Sequence, residues 1–348
     1  MEIYSVLVLG RFLEYTYVLD FQAKMIDTYV KDSHILHRAM AHQPLNVVAG
    51  SGINLILEDG QEILDASAGP AVSCLGHSND EVTAAVVTQL NKVAYVYSGS
   101  RYRNAACEDL ASHLLADRPG GLSKAIFVNS GSEATDAALK LAAQYWHEIG
   151  QPQRNKVVSR SQSYHGNTIG ALCVSGHESR RELYSAWMSN NVSFVDPCYA
   201  YRGKKDVETD AQYVERLKTQ LEDMFLELDP NTVAAFIAEP VSGTTLGCVT
   251  AVPGYFRAVR EVCDKYDVLL ILDEVSCLCG SRDTWLMLID RLCAVWARQE
   301  QCTPGNKRVF EDLTYRLLAR LSGVVSYLCQ EYCFMTRSSK PWLMARVV

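Results

Sequence analysis

Apolar and polar positions along this chain fall into two rhythms. In "HQPLNVVAGSGINLILEDGQEILDASAGPAVSCLGH" short apolar runs are broken by Gly and Asp turns, which predicts short strands. From Ser78 the rhythm becomes helical. "SNDEVTAAVVTQLNKV" carries apolar residues at helical spacing behind a capping box from Ser78 to Glu81. "NAACEDLASHLLADRP" predicts a second amphipathic helix, stopped by Pro119. A regular alternation then sets in. "KAIFVNS" reads as a buried strand, "GSEATDAALKLAAQYWHEIG" as a helix ended by Gly150, and "KVVSR" as a strand. "ETDAQYVERLKTQLEDMFLEL" reads as a helix, "TVAAFIAEP" as a strand, "GYFRAVREVCDKY" as a helix and "DVLLILDEV" as a strand. Strands and helices alternating on this scale predict an α/β fold, a mostly parallel sheet with helices on both faces. Ligands of such sheets sit at the C-terminal ends of the strands.

The pattern breaks after Val275. Six of the twelve Cys and three of the five Trp lie in residues 276–348, and strand-helix punctuation is lost there. No Cys pair has a zinc-ribbon layout, so free thiols in a reducing compartment are the expectation and no metal site is read. The net charge of -7 gives no reason to expect nucleic acid or an anionic membrane as partner. The N-terminal stretch is apolar, but Arg11 and Glu14 interrupt it, so neither a signal peptide nor a membrane span is read. A cytoplasmic protein is the default, with a mitochondrial one left open.

Three strand ends carry chemistry. "FVNSGSEATDAA" runs from a strand through Ser130, Gly131 and Ser132 into a helix, where free amides and hydroxyls suit a phosphate. Plain N-capping by Ser is the alternative. "SYHGNTIGA" puts Tyr164 and His165 in a loop after a strand, where an aromatic can stack on a flat ring or be incidental. "LILDEV" ends an apolar strand in Asp273 and Glu274, and a carboxylate at the edge of a core calls for a cationic partner, such as a protonated ring nitrogen, or for solvent. "FIAEP" ends similarly at Glu239.

In this order and spacing, residues 34–275 resemble the class III, fold-type I aminotransferases that use pyridoxal 5'-phosphate. The resemblance runs from "SHILHRAM" through "NSGSEATDAALKLA", "YHGNTIGAL" and "AEPV" to "LDEV". It implies that Ser130, Gly131 and Ser132 hold the cofactor phosphate and that Tyr164 stacks on the pyridine ring, with His165 beside it. It also implies that Asp273 pairs with the pyridinium nitrogen, that Val275 packs on the opposite ring face, and that Glu239 sits on the substrate side. Tyr102, with Tyr97 and Arg103, lies where the family places substrate-facing residues; surface or dimer contacts are the alternative. The cofactor is an electron sink that works best with its ring nitrogen protonated. The implied reaction moves an amino group between a small-molecule amino donor and a 2-oxo acid or aldehyde, and the implied assembly is a homodimer. By domains, residues 1–33 are an unplaced arm and 34–100 are the N-terminal part of the small domain and the entry to the large one. Residues 101–275 are the incomplete cofactor-binding large domain, and 276–348 are a tail unlike the family.

The family's Schiff-base lysine follows "DEV" in a Lys-Gly-Leu-Gly-Gly-Gly-like segment. After Val275 this chain has only Lys307 and Lys340, in "PGNKRVF" and "RSSKPWL". A shifted reading frame accounts for that. Joining the last base of each codon to the first two of the next, "LCAVWARQEQCTPGNKR" from Leu292 permits MCGMGKTGTMHAWEQEG. In the same way "TYRLLARLSGVVSYLCQEY" from Thr314 permits IQTIGKALGGGFIPLSGV, with the lysine straddling the codons of Ala319 and Arg320. Both strings are family-like and in the family's order. The expectation is that residues 275–291 are mostly translated intron and 292–348 are out-of-frame coding sequence, giving an inactive chain with no catalytic residue. The alternatives are a non-catalytic cofactor-binding or dimerising subunit and a non-functional gene-model product. A core without its remaining strands is expected to leave an unpaired edge and to aggregate. A dinucleotide-binding dehydrogenase is disfavoured, because no G-x-G-x-x-G follows a strand.

Overall fold

The computed structural model describes residues 34–36, 44–67, 72–73, 75–97, 101–115 and 124–275, and the strand backbones of 293–298 and 342–347. The chain divides into two compact units, one of Met1–Gly69 with Leu75–Asp80 and one of Pro70–Cys74 with Glu81–Val348.

The first unit holds the strands β1 (Val47–Ser51), β2 (Asn54–Leu57) and β3 (Glu62–Leu64), paired antiparallel in that order. Asp65 closes the unit against His77, Oδ2 to Nε2 at 2.9 Å. Ser78 departs from its expected role. It has φ 57°, and its hydroxyl donates to the Gly50 carbonyl at 2.6 Å. A helix N-cap needs extended backbone, so the left-handed Ser78 is not the cap, and α1 (Asp80–Lys92) begins two residues later.

In the second unit α2 (Ala105–Leu114) starts at Asn104, whose side chain accepts the Ala106 amide at 2.9 Å. Pro119 lies outside the described residues. The alternation follows as β4 (Lys124–Ile126), α3 (Gly131–Glu148), β5 (Lys156–Arg160), α4 (Ile169–Val174) and β6 (Val192–Val195). It continues with α5 (Asp210–Glu227), β7 (Val233–Ala238), the short pair β8 (Val241–Ser242) and β9 (Val249–Thr250), α6 (Tyr255–Lys265) and β10 (Leu269–Asp273). Six-residue α4 and four-residue β6 were not legible in the apolar pattern, being too short to show a period. α5 carries a full capping box, with Thr209 and Gln212 each serving the other's backbone.

The main sheet has the order β4-β12-β11-β10-β7-β5-β6, with β11 (Cys293–Arg298) running against the other six. The expected unpaired edge at β10 is not found. β11 pairs with β10 from Asp273↔Cys293 to Leu270↔Trp296, and β12 (Trp342–Val347) joins β11 to β4. Extended segments from the tail thus meet the backbone donors and acceptors of β10 and β4.

Both faces of the sheet are covered, which explains the unbroken apolar run of β7. Ala235 and Ile237 face Ala134, Ala138 and Leu141 of α3, while Phe236 and Ala238 share a cluster with Leu221 and Phe225 of α5 and Val259 and Val262 of α6. The strand's period of two sends successive side chains into opposite layers. Full burial of one such side chain as Phe236 contributes about 1.5–3 kcal/mol. Buried Arg154 ties the non-site end of the sheet. Its Nη1 donates to the carbonyls of Pro230 and Val233 at 3.1 Å and its guanidinium lies 4.2 Å over the Trp146 ring. Among the described residues no helix is long and apolar enough to cross a membrane.

Candidate active site

Because β5, β7 and β10 run parallel, Arg160, Glu239 and Asp273 come together at the C-terminal ends of the strands. At its centre is a buried hydrogen-bonded pair, with His165 Nδ1 and Asp273 Oδ2 2.8 Å apart and their side chains 0% and 4% exposed. Asp273 Oδ1 also accepts the Val275 amide at 3.2 Å. The imidazole is held through its backbone. The His165 amide donates to Ser175 Oγ, and Thr135 Oγ1 donates to the His165 carbonyl, each at 2.8 Å. His165 Nε2 is buried without a hydrogen-bond partner among the described residues.

The start of α3 supplies the second part. Ser130 is its N-cap, with Oγ accepting the Glu133 amide at 3.2 Å, while the Glu133 carboxylate accepts the Asn129 amide at 2.7 Å. Ser130 therefore performs the capping that was the alternative reading of its motif. Gly131 is next to Val275, since a Cβ on it would lie 3.3 Å from the valine Cγ2. Ser132 Oγ accepts the Asn167 amide at 2.8 Å. Gly166 is required at the crossing. Its φ is +133°, and a Cβ there would stand 2.7 Å from the Ser132 Cα.

Tyr164 belongs to the same loop. The Arg180 guanidinium lies 4.6 Å from its ring centroid and the His177 ring meets it edge-on at 6.4 Å. Its amide donates to Glu239 Oε2 at 3.2 Å. Burial pushes the Glu239 carboxyl above the usual carboxylate range; the Asp273 charge adds to this, and His165, the Tyr164 amide and Arg160 oppose it. Behind Glu239 lies Arg160, 2% exposed, with Nη2 donating to the Glu239 carbonyl and, at 3.2 Å, to Ser242 Oγ.

The structure thus brings together Ser132, Tyr164, His165, Glu239 and Asp273, with Gly131 and Val275 in mutual contact. Tyr102 stands 74% exposed ahead of α2, and the contacts above do not include it. Sequence reasoning missed Thr135, Arg160, Ser175 and Arg180. A charge closing the apolar strand "KVVSR" was the one signal available for Arg160, and Thr135 and Ser175 gave none, since their partners are backbone groups of a distant loop. Among the described residues no group of three or more His, Cys, Asp or Glu is placed to hold a metal.

Residues 35–286 match the family described as aminotransferase class-III. The chain is 45% identical over 258 residues to an uncharacterized aminotransferase of Schizosaccharomyces pombe, covering 74% of this chain and 56% of that protein. It is 32% identical over 252 residues to the diaminobutyrate–2-oxoglutarate transaminase of Halomonas elongata, covering 72% of this chain and 54% of that one. Among solved structures, the omega transaminase of Pseudomonas jessenii in complex with PMP aligns with a TM-score of 0.66 at 29% identity, over 72% of this chain and 56% of that one. This chain spans about half the length of the curated relatives it matches. The matched sequence, the parallel sheet and the cluster of residues at its strand ends lead to one conclusion: the chain belongs to the class-III aminotransferases.

Proposed function

We propose that this chain carries the cofactor-holding part of an enzyme that moves an amino group between an amino donor and a 2-oxo acid or aldehyde, and that it does not itself turn over. The family uses pyridoxal phosphate. The residues at the strand ends suit that group. Asp273 is a buried carboxylate already oriented by an imidazole, His165 Nε2 is buried without a hydrogen bond among the described residues, and the missing Cβ of Gly131 leaves the space next to Val275. The buried His165–Asp273 pair is the observation that carries the reading.

When bound, the cofactor supplies an electron sink for the carbon that bears the amino group. Asp273 would hold its ring nitrogen in the protonated state, and His165 fixes the carboxylate that does so. Tyr164 and Val275 would confine the ring, and Ser130, Gly131 and Ser132 at the start of α3 would hold the phosphate. Among the described residues none of the contacts in this site involves a lysine. Lys307 and Lys340, the only lysines after Val275, lie outside the described residues, and neither has the family's glycine-rich surroundings. A shifted frame beyond Val275 accounts for those surroundings. In the unshifted product the remaining half would supply the lysine and complete a homodimer. Among the described residues Cys173, Cys198, Cys248 and Cys263 are free thiols, which supports a reducing setting such as the cytoplasm.

Two measurements test this. Titrating the full chain with pyridoxal phosphate is expected to give saturable binding that borohydride does not fix to protein. A pyridoxyl group found by peptide mass spectrometry on Lys307 or Lys340 would overturn the inactive reading. Sequencing the mature transcript is expected to show the bases from the start of codon 275 to the second base of codon 291 removed and the lysine-bearing frame restored. A message that retains them in every copy would overturn the frame account.

A further inference from the structure

Glu239 has an unusual set of partners for a residue assigned to the substrate side. Both of its carboxylate oxygens accept backbone amides, Oε2 from Tyr164 and Oε1 from Gly243, each at 3.2 Å. Its own carbonyl accepts from Arg160 Nη2. The residue is 5% exposed, and Arg160 behind it is 2% exposed. Arg160 is located in turn by Ser242 Oγ at 3.2 Å and by the rings of Tyr255 and Phe256, 5.9 and 6.0 Å from its guanidinium carbon. One side chain therefore spans from the end of β7 to two loops, and a buried cation fixes the end from which it spans. The carboxylate is nearly all buried and each of its oxygens holds a backbone amide, the arrangement of a brace.

We propose that Glu239, anchored by Arg160, is a positioning residue that sets the backbone of Tyr164 and so the tilt of the phenol ring against a planar aromatic ligand. The identity of that ligand as pyridoxal phosphate rests on the function proposed above; the brace does not. A buried amide left without its acceptor is costly, so losing one of these bonds moves the loop that carries the ring. In Glu239→Gln one oxygen becomes an amide nitrogen, which cannot accept, so either Tyr164 or Gly243 loses its partner.

The test has one arm without ligand and one with it. Amide hydrogen exchange on the full chain, read at Tyr164 and Gly243, is expected to speed up about tenfold or more in E239Q, as for a protecting bond lost. Unchanged exchange at both amides overturns the brace. In the second arm, pyridoxal phosphate and pyridoxal are titrated into the parent chain, E239Q, Y164A and the double variant. E239Q and Y164A are each expected to weaken binding about tenfold and to shift the bound ring's absorbance alike, and the double variant is expected to be no weaker than Y164A alone. Effects that multiply, or an E239Q chain that binds and absorbs as the parent does, overturn the inference. If the parent binds neither probe, the proposed function fails and the exchange arm still decides the brace. If E239Q does not fold, Arg160→Lys replaces it in both arms. It keeps the buried charge but loses the planar guanidinium that lies by the Tyr255 and Phe256 rings and aims Nη2 at the Glu239 carbonyl, and faster exchange at Tyr164 with a several-fold loss of binding supports the proposal; no change in either overturns it.

Discussion

Helices α1 and α3 have the same apolar rhythm and opposite fates. α3 buries eight residues, among them Ala134, Ala138, Leu141 and Trp146. α1 buries none, and Val82, Val86, Val87 and Leu90 are each more than two-fifths exposed. Helical spacing states which residues share a face and is silent on whether anything covers it. α3 lies against the sheet because it follows β4 directly and its alanines let the backbone approach β7. The same contrast separates the buried site, where Asp273, Glu239 and Ser132 are each fitted to a partner, from the exposed face of α1.

The comparison breaks most sharply at the site. Asp273→Ala leaves the buried His165 Nδ1 and the Val275 amide without their acceptor, and about 1–3 kcal/mol of stability is expected to go with each lost bond, read as a lowered urea midpoint. Leu141→Ala in α3 is expected to cost about 2–5 kcal/mol by the same measurement, since the residue is 1% exposed and opens a cavity. Gly166→Ala forces a side chain onto Ser132 at a positive φ and is expected to cost about 1–3 kcal/mol. A smaller effect concerns pH. Burial raises the Glu239 carboxyl, so its contribution to stability is fully present below the ordinary glutamate value and is lost as pH rises through the folded value. Glu208, Glu222 and Glu261 are lowered by their bonds to Arg216, Lys265 and Lys218, so their contribution is present above the ordinary value and lost as pH falls. E239Q removes the first trend alone, so its melting temperature is expected to fall less, or rise more, than the parent's between pH 4 and 7. At the small end, Val86→Ser in α1 is expected to change stability by about 0.5 kcal/mol or less; a loss as large as that of Leu141→Ala would show that its face is covered in solution.

Much of the second unit was legible because its elements declare themselves locally. The apolar strands "VAAFIA" and "LLILD", the Gly150 stop of α3 and the Thr209 start of α5 each follow from neighbours in the chain. Ser78 shows the limit of that reading. Its capping box is correct as a pattern, but the Gly50 carbonyl takes the hydroxyl and the backbone turns left-handed. The tail shows the same limit in the other direction. Two extended segments pair into the sheet where the loss of punctuation had suggested an unpaired edge.

By itself the sequence determined the alternation of strands and helices, the placing of Asp273 at a strand end, the membership of the family through its ordered motifs, and the presence of just two lysines after Val275. Only the tertiary structure decided what those residues touch. It gave Asp273 to His165, Ser132 to the Asn167 amide, and both oxygens of Glu239 to backbone amides of two loops. The reason is physical: a strand's period and a helix cap depend on residues a few positions apart, whereas a buried polar group must find its partner wherever the folded chain brings one within about 3 Å.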